Sequence, residues 1–130
     1  MSNKKWLISI TLILSVMSNN ALAQDSESCD EEKVDTVSLR QCGMQELGIE
    51  KSRLDLVYKK LTAILDSNEK QRLKTSQIAW VDFSKKDCSF RTDWETGSMG
   101  SLMSIGCETG LTKDRRKNLE NRLISELRNK

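Results

Sequence analysis

A chain of 130 residues carrying 21 Lys+Arg, 19 Asp+Glu and no His has room for one domain of ordinary size. Its near-balanced charge argues against a nucleic-acid binder. The missing His removes the commonest metal ligand and any Ser–His or Cys–His nucleophile pair.

The chain opens on Met1-Ser-Asn-Lys-Lys5, followed by an apolar run from Trp6 to Met17 broken only by Ser9, Thr11 and Ser15. Ala21-Leu22-Ala23 then gives a small-x-small site. A basic start, a short apolar stretch and such a site describe a secretory signal peptide over 1–23. A spanning helix needs about 20 apolar residues, and Ser18-Asn19-Asn20 ends this run too soon. No Cys follows Ala23 directly, so no lipid anchor is expected there. The mature domain is expected to run from Gln24 to Lys130, soluble and not membrane-spanning. Lys4 and Lys5 leave with the signal, so the remainder holds 19 basic and 19 acidic side chains. The charge is unevenly placed: Asp25, Glu27, Asp30, Glu31 and Glu32 make an acidic entry. Lys113, Arg115, Arg116, Lys117, Arg122, Arg128 and Lys130 make a basic exit.

A domain this small buries a modest core and gains from covalent help in an oxidising compartment. Cys29, Cys42, Cys88 and Cys107 all follow the signal segment. Of the three pairings that four cysteines allow, Cys29–Cys42 and Cys88–Cys107 each close one local excursion and are the expected bridges. Each is worth roughly 3 kcal/mol on the chain-entropy model. No C-x-x-C pair is present, so a metal site is not expected.

The proline-free chain, rich in Leu, Lys, Glu, Arg and Gln, predicts helices. In the first, Leu47, Leu54, Tyr58, Leu61 and Leu65 form a stripe, with Leu39 and Cys42 extending it backwards. Asp55 and Lys59 make a surface pair at i,i+4. Asp66-Ser67-Asn68 breaks the run, and Asp66 with Glu69 predicts a capping box. Without this break one helix of about 90 Å would have to bury its stripe within a single small domain. A helical hairpin is therefore expected. The second helix presents Leu73, Gln77, Trp80, Ser84 and Cys88 along one side, with Ile78, Val81 and Phe83 flanking. Trp80 is expected in the core, anchoring the second helix against the first. From Trp94 the Gly- and Ser-containing stretch predicts a loop, then a short helical or irregular piece up to Cys107. Thr112 is expected to cap a final helix carrying Leu119, Leu123 and Leu127. The fold class is thus all-α, a small disulfide-stapled helical hairpin with a short irregular or helical segment and a C-terminal helix.

Several of these residues fall in a recognisable order. They are Cys42, Leu54-Asp-Leu-Val-Tyr58, Leu73, Gln77-Ile-Ala-Trp80, Cys88, Gly97-Ser98, Cys107, and Leu111-Thr112-Lys-Asp-Arg115 with Leu119. In this order and spacing the chain resembles the LprI-like family of small secreted bacterial proteins. The resemblance implies a periplasmic or secreted inhibitor of lysozyme, with a protein partner and no cofactor. Leu54, Tyr58, Leu61, Leu73, Gln77, Trp80, Arg115 and Leu119 are expected to form the structural core. Two departures stand out. Asp55 replaces the family's usual Asn, and Ser84-Lys85 replaces its usual Arg-Asp pair.

No catalytic residue is expected. Carboxylate pairs such as Asp30/Glu31 and Asp93/Glu95 read as exposed, whereas a glycosidase-like dyad needs one carboxyl group in an apolar pocket. The segment Arg91–Ser101 instead reads as a binding loop tethered at Cys88 and Cys107. Arg91, Trp94, Gly97, Ser98, Met99 and Gly100 are its candidate contacts, since pinning a loop lowers the entropy cost of binding and Trp, Arg and Met are enriched in interfaces. The plainer alternative is that Trp94 packs beneath the loop, Met99 fills a gap and the glycines only make turns. At the level of function, two readings compete: a binding module that blocks a cell-wall hydrolase, and an envelope structural or assembly factor docking through the basic C-terminal helix.

Overall fold

The computed structural model describes Cys29 and residues 35–129. The expected signal segment, the acidic entry and Lys130 lie outside the described residues. Among the described residues the fold is three helices without a strand: α1 (Thr36–Ile64), α2 (Ser67–Thr92) and α3 (Gly97–Arg128). None is long and apolar enough to cross a membrane.

Each start has a local cause, and two of the three are capped by a side chain. Asp35 caps α1 by accepting the backbone N–H groups of Val37 and Ser38 at 2.9 and 3.0 Å. At α2 the capping box forms as expected. Asp66 accepts from the Glu69 N–H at 2.8 Å, and the Glu69 carboxylate accepts from the Asp66 N–H at 3.3 Å. Leu65, the residue that ends α1, is extended and buried. The turn therefore needs only two residues, Leu65 and Asp66. α3 begins at Gly97 without a side-chain cap.

The third helix departs from expectation. No separate helix starts at Thr112; α3 runs unbroken from Gly97. Thr112 is 2% exposed, and its hydroxyl donates to the Glu108 carbonyl one turn earlier at 2.7 Å. The Gly- and Ser-rich half is poor helix sequence, but tertiary packing overrides propensity. α1 lies close along it: a Cβ on Gly43 would stand 3.1 Å from Ile105 Cγ2. On its other side the Cys88–Cys107 bridge, with Cα atoms 5.6 Å apart, ties it to α2.

The pairings set the topology. Gly43 meets Ile105, Glu46 pairs with Lys113 and Glu50 with Arg116, so α1 and α3 run parallel. Glu69 pairs with Arg122, Gln77 with Arg115 and Cys88 with Cys107, so α2 runs antiparallel to α3. Both α1 and α2 pack on α3, while α1 and α2 touch each other little. The third helix is the shared partner, and the α1–α2 turn leads into contacts with α3.

Leu54, Val57, Leu61 and Leu65 from the first helix close with Leu119 into the core. Tyr58, Ile64, Leu73, Trp80 and Leu123 pack around them. Burying one such leucine contributes roughly 2 kcal/mol. The expected stripe on α3 is buried at Leu119 and partly at Leu123, but Leu127 is exposed near the level where α1 has ended. On α2 only Ser84 and Cys88 are buried, while Ile78, Phe83 and Phe90 face outward. The second bridge, Cys29–Cys42, fastens the chain ahead of α1 to its second turn, with Cα atoms 5.5 Å apart.

Candidate functional site

The six candidate contact residues lie at the turn between α2 and α3. Arg91 is in the last turn of α2, Trp94 is in the connection, and Gly97, Ser98, Met99 and Gly100 form the first turn of α3. Instead of a long loop pinned at distant ends, the chain makes a short crossing over Asp93–Thr96. The Cys88–Cys107 bridge holds α2 and α3 together behind it.

Two glycines are explained by the backbone path. Gly97 has φ +74°, the left-handed region that glycine enters freely. A Cβ at Gly100 would stand 2.3 Å from the Glu95 carbonyl oxygen. Any side chain at Gly100 would push the crossing away from α3.

Trp94 does not pack beneath the turn. It is 69% exposed, and its indole N–H donates to the Arg91 carbonyl at 2.8 Å. That bond satisfies one of the carbonyls left over at the end of α2 and fixes the ring's orientation in the open. Met99 is also exposed and fills no gap, and Phe90, one turn back on α2, is 80% exposed. Arg91 Nη2 lies 2.8 Å from Asp87 Oδ2. This is a charge contact without hydrogen-bond alignment, since the oxygen has no hydrogen-bond donor. The site therefore presents an oriented indole, a flexible thioether and one guanidinium, flanked by a second aromatic ring. It offers contact chemistry. Among the described residues no group of His, Cys, Asp and Glu is arranged to hold a metal.

The residues expected in the core do converge. Arg115 reaches from α3 to α2, donating through Nε to Gln77 Oε1 and through Nη2 to Ser76 Oγ, each at 3.0 Å. Its guanidinium stands 6.0 Å from the Trp80 ring centroid. Trp80, Leu73 and Tyr58 pack against the buried leucines. Asp55 and Lys85, two of the departures from the family pattern, line one cleft between α1 and α2 of about 320 Å³, together with Tyr58, Gln77, Trp80 and Ser84. Asp55 also forms the expected pair with Lys59, at 2.6 Å.

Sequence reading missed one buried polar cluster. Glu50 is 2% exposed and faces Arg116 Nε at 3.1 Å and Arg53 Nη1 at 2.6 Å. Burial raises the Glu50 pKa, but hydrogen bonds from Arg53 and Arg116 outweigh it and hold the carboxyl below its ordinary value. Arg116 also grips Glu120 at 2.7 Å. Arg122 pairs with Glu69 and Glu126, and Lys113 with Glu46. Much of the charge read as a basic exit is thus spent inside the molecule. Charge reversal at Arg116 would test folding rather than partner docking. Only the spacing of Glu50 on the leucine stripe, four residues before Leu54, could have signalled the cluster.

Comparison with known proteins gives one match. The family model for the lysozyme inhibitor LprI covers residues 29–119. Neither the curated proteins nor the solved structures gave a significant match. The matched span holds both disulfides, the α2–α3 turn and the Trp80–Arg115 contact, and takes in well over half of the chain. The chain belongs to the LprI lysozyme-inhibitor family.

Proposed function

We propose that this chain is exported, cleaved near Gln24, and blocks a cell-wall muramidase by protein–protein contact in the periplasm or outside the cell. The export motif, two disulfides suited to an oxidising compartment and membership of an inhibitor family support the reading. The observation that carries it is Trp94, largely exposed yet oriented by its bond to Arg91. An indole already fixed in place loses little freedom on binding, and tryptophan is among the residues that dominate interface energetics. Arg91 at the end of α2 and Ser98 and Met99 at the start of α3 belong to the same turn, Arg91 and Ser98 as hydrogen-bond donors suited to the carboxylates of a muramidase cleft.

Clearing of cell walls by several muramidase types, measured by turbidity with and without purified mature protein, tests the reading. Inhibition at near-stoichiometric amounts is expected from at least one type. Trp94→Ala should weaken it about 30-fold, the effect of losing roughly 2 kcal/mol at a hot spot, with the melting temperature unchanged. Absence of inhibition at large molar excess across all types would sink the proposal.

A further inference from the structure

Midway along the bundle, α1 and α2 stand apart over α3 and leave a cleft of about 320 Å³, at the small end of ligand sites. Its floor is closed by Leu54 and Thr112, both buried. Its walls are the half-buried Tyr58, Trp80 and Gln77, with Lys85 exposed at the rim. Arg115 steadies two of these walls, standing 6.0 Å from the Trp80 ring centroid and donating to Gln77 Oε1 at 3.0 Å. The ion pairs around the cleft are already made: Lys51 meets Glu108, and Asp55 meets Lys59. The donors on its walls are unspent. Among the described residues nothing accepts from the Tyr58 hydroxyl, the Trp80 indole N–H, the Gln77 amide N–H groups or the Lys85 ammonium. These atoms also remain open to solvent, because Asp87 Oδ2 alone among the described residues is a sealed side-chain polar atom without a hydrogen bond. Polar groups in half-buried places are ordinarily matched. Unspent donors gathered on aromatic walls therefore suit a ring-shaped ligand rich in acceptors.

We propose that this cleft binds a single N-acetylated sugar unit of cell-wall glycan, with a preference for a form that carries a carboxylate. The apolar face of the sugar ring covers the aromatic walls, and its hydroxyl and acetamido oxygens accept from Tyr58, Trp80 and Gln77. Lys85 meets the carboxylate at the rim. An exposed ion pair adds little, so the acid sets a preference while the ring and its acceptors carry the binding. The choice of sugar rests on the proposed action at the cell wall, and it seats the inhibitor on the polymer that a muramidase cuts.

The test titrates the purified mature protein with N-acetylmuramic acid, N-acetylglucosamine, glucose and phenylacetate, read by NMR of the Trp80 indole and the Gln77 side-chain amide. N-acetylmuramic acid should bind with a Kd of about 1 mM and shift both signals. N-acetylglucosamine, lacking the carboxylate, should bind about threefold more weakly. Glucose and phenylacetate should each bind about tenfold more weakly, because they leave wall donors unmatched. Tyr58→Phe keeps the ring and removes only the unpartnered hydroxyl. It should weaken both N-acetylated sugars about fivefold with the melting temperature unchanged. Lys85→Gln should erase the preference for N-acetylmuramic acid, whereas Lys86→Gln, whose lysine is paired with Asp82, should not. Silence of the Trp80 and Gln77 signals with both N-acetylated sugars, phenylacetate binding as tightly as they do, or indifference to Tyr58→Phe would overturn the proposal. Sugar binding is read without a muramidase and should survive Trp94→Ala, so this cleft and the α2–α3 turn can fail independently.

Discussion

The two faces that α3 offers its neighbours are built differently. Toward α1 it closes over Leu54, Val57, Leu61 and Leu65, and it seals the same seam with the buried Glu50–Arg116 pair. Toward α2 it meets a narrow stripe whose only buried members are Ser84 and Cys88, held by one disulfide and the Arg115 contacts to Gln77 and Ser76. The contrast separates two tasks. The α1–α3 seam supplies most of the burial, while α2 keeps Phe83, Phe90 and the neighbouring Trp94 in solvent. A helix held covalently can spare apolar side chains for recognition.

Substitutions can break this contrast, the largest effect first. Leu61→Ala, at 1% exposure, should cost about 3–4 kcal/mol and lower the denaturation midpoint of the whole molecule. Replacing Cys88 and Cys107 together by Ala should cost roughly 3 kcal/mol. Hydrogen exchange should then speed up in α2 far more than in α1, and uniform loss of protection would refute the division of labour.

Glu50→Gln should cost roughly 2 kcal/mol, less than a fully buried pair loses, because Arg53 is well exposed. The sign of its pH dependence follows from the lowered carboxyl pKa. Its contribution is complete above the ordinary carboxylate range and is lost as pH falls through the lowered value in the folded state. Urea midpoints measured against pH should therefore converge for Glu50→Gln and the parent in acid. Asp66→Ala removes the α2 cap and should cost about 1 kcal/mol. Phe83→Ser, on the outer face, should change stability by less than about 0.5 kcal/mol. A large loss there would mean that the exposed ring is structural after all.

Local signals were legible in the sequence. Asp66 and Glu69 sit three residues apart and announce the cap that the structure contains. The leucine spacing from Leu54 to Leu65 and both cysteine pairings also emerge as read. Long-range matters were not. Residues 97–111 look like loop because Gly and Ser disfavour helix, and only the proximity of α1 and the bridge to α2 makes them helical. Glu50 and Arg116 lie 66 residues apart, so no periodicity joins them. At the candidate site, residue type alone cannot distinguish an indole beneath a turn from one standing above it. The Trp94–Arg91 hydrogen bond decides the matter.

The placement of the cross-links has a consequence for how a newly made chain matures. Cys42 and the Cys88–Cys107 pair gather at one end of the bundle, whereas Leu61, Leu65 and Leu119 gather toward the other. Packing at the leucine end does not depend on oxidation, whereas the covalent joining of α2 to α3 at the other end does.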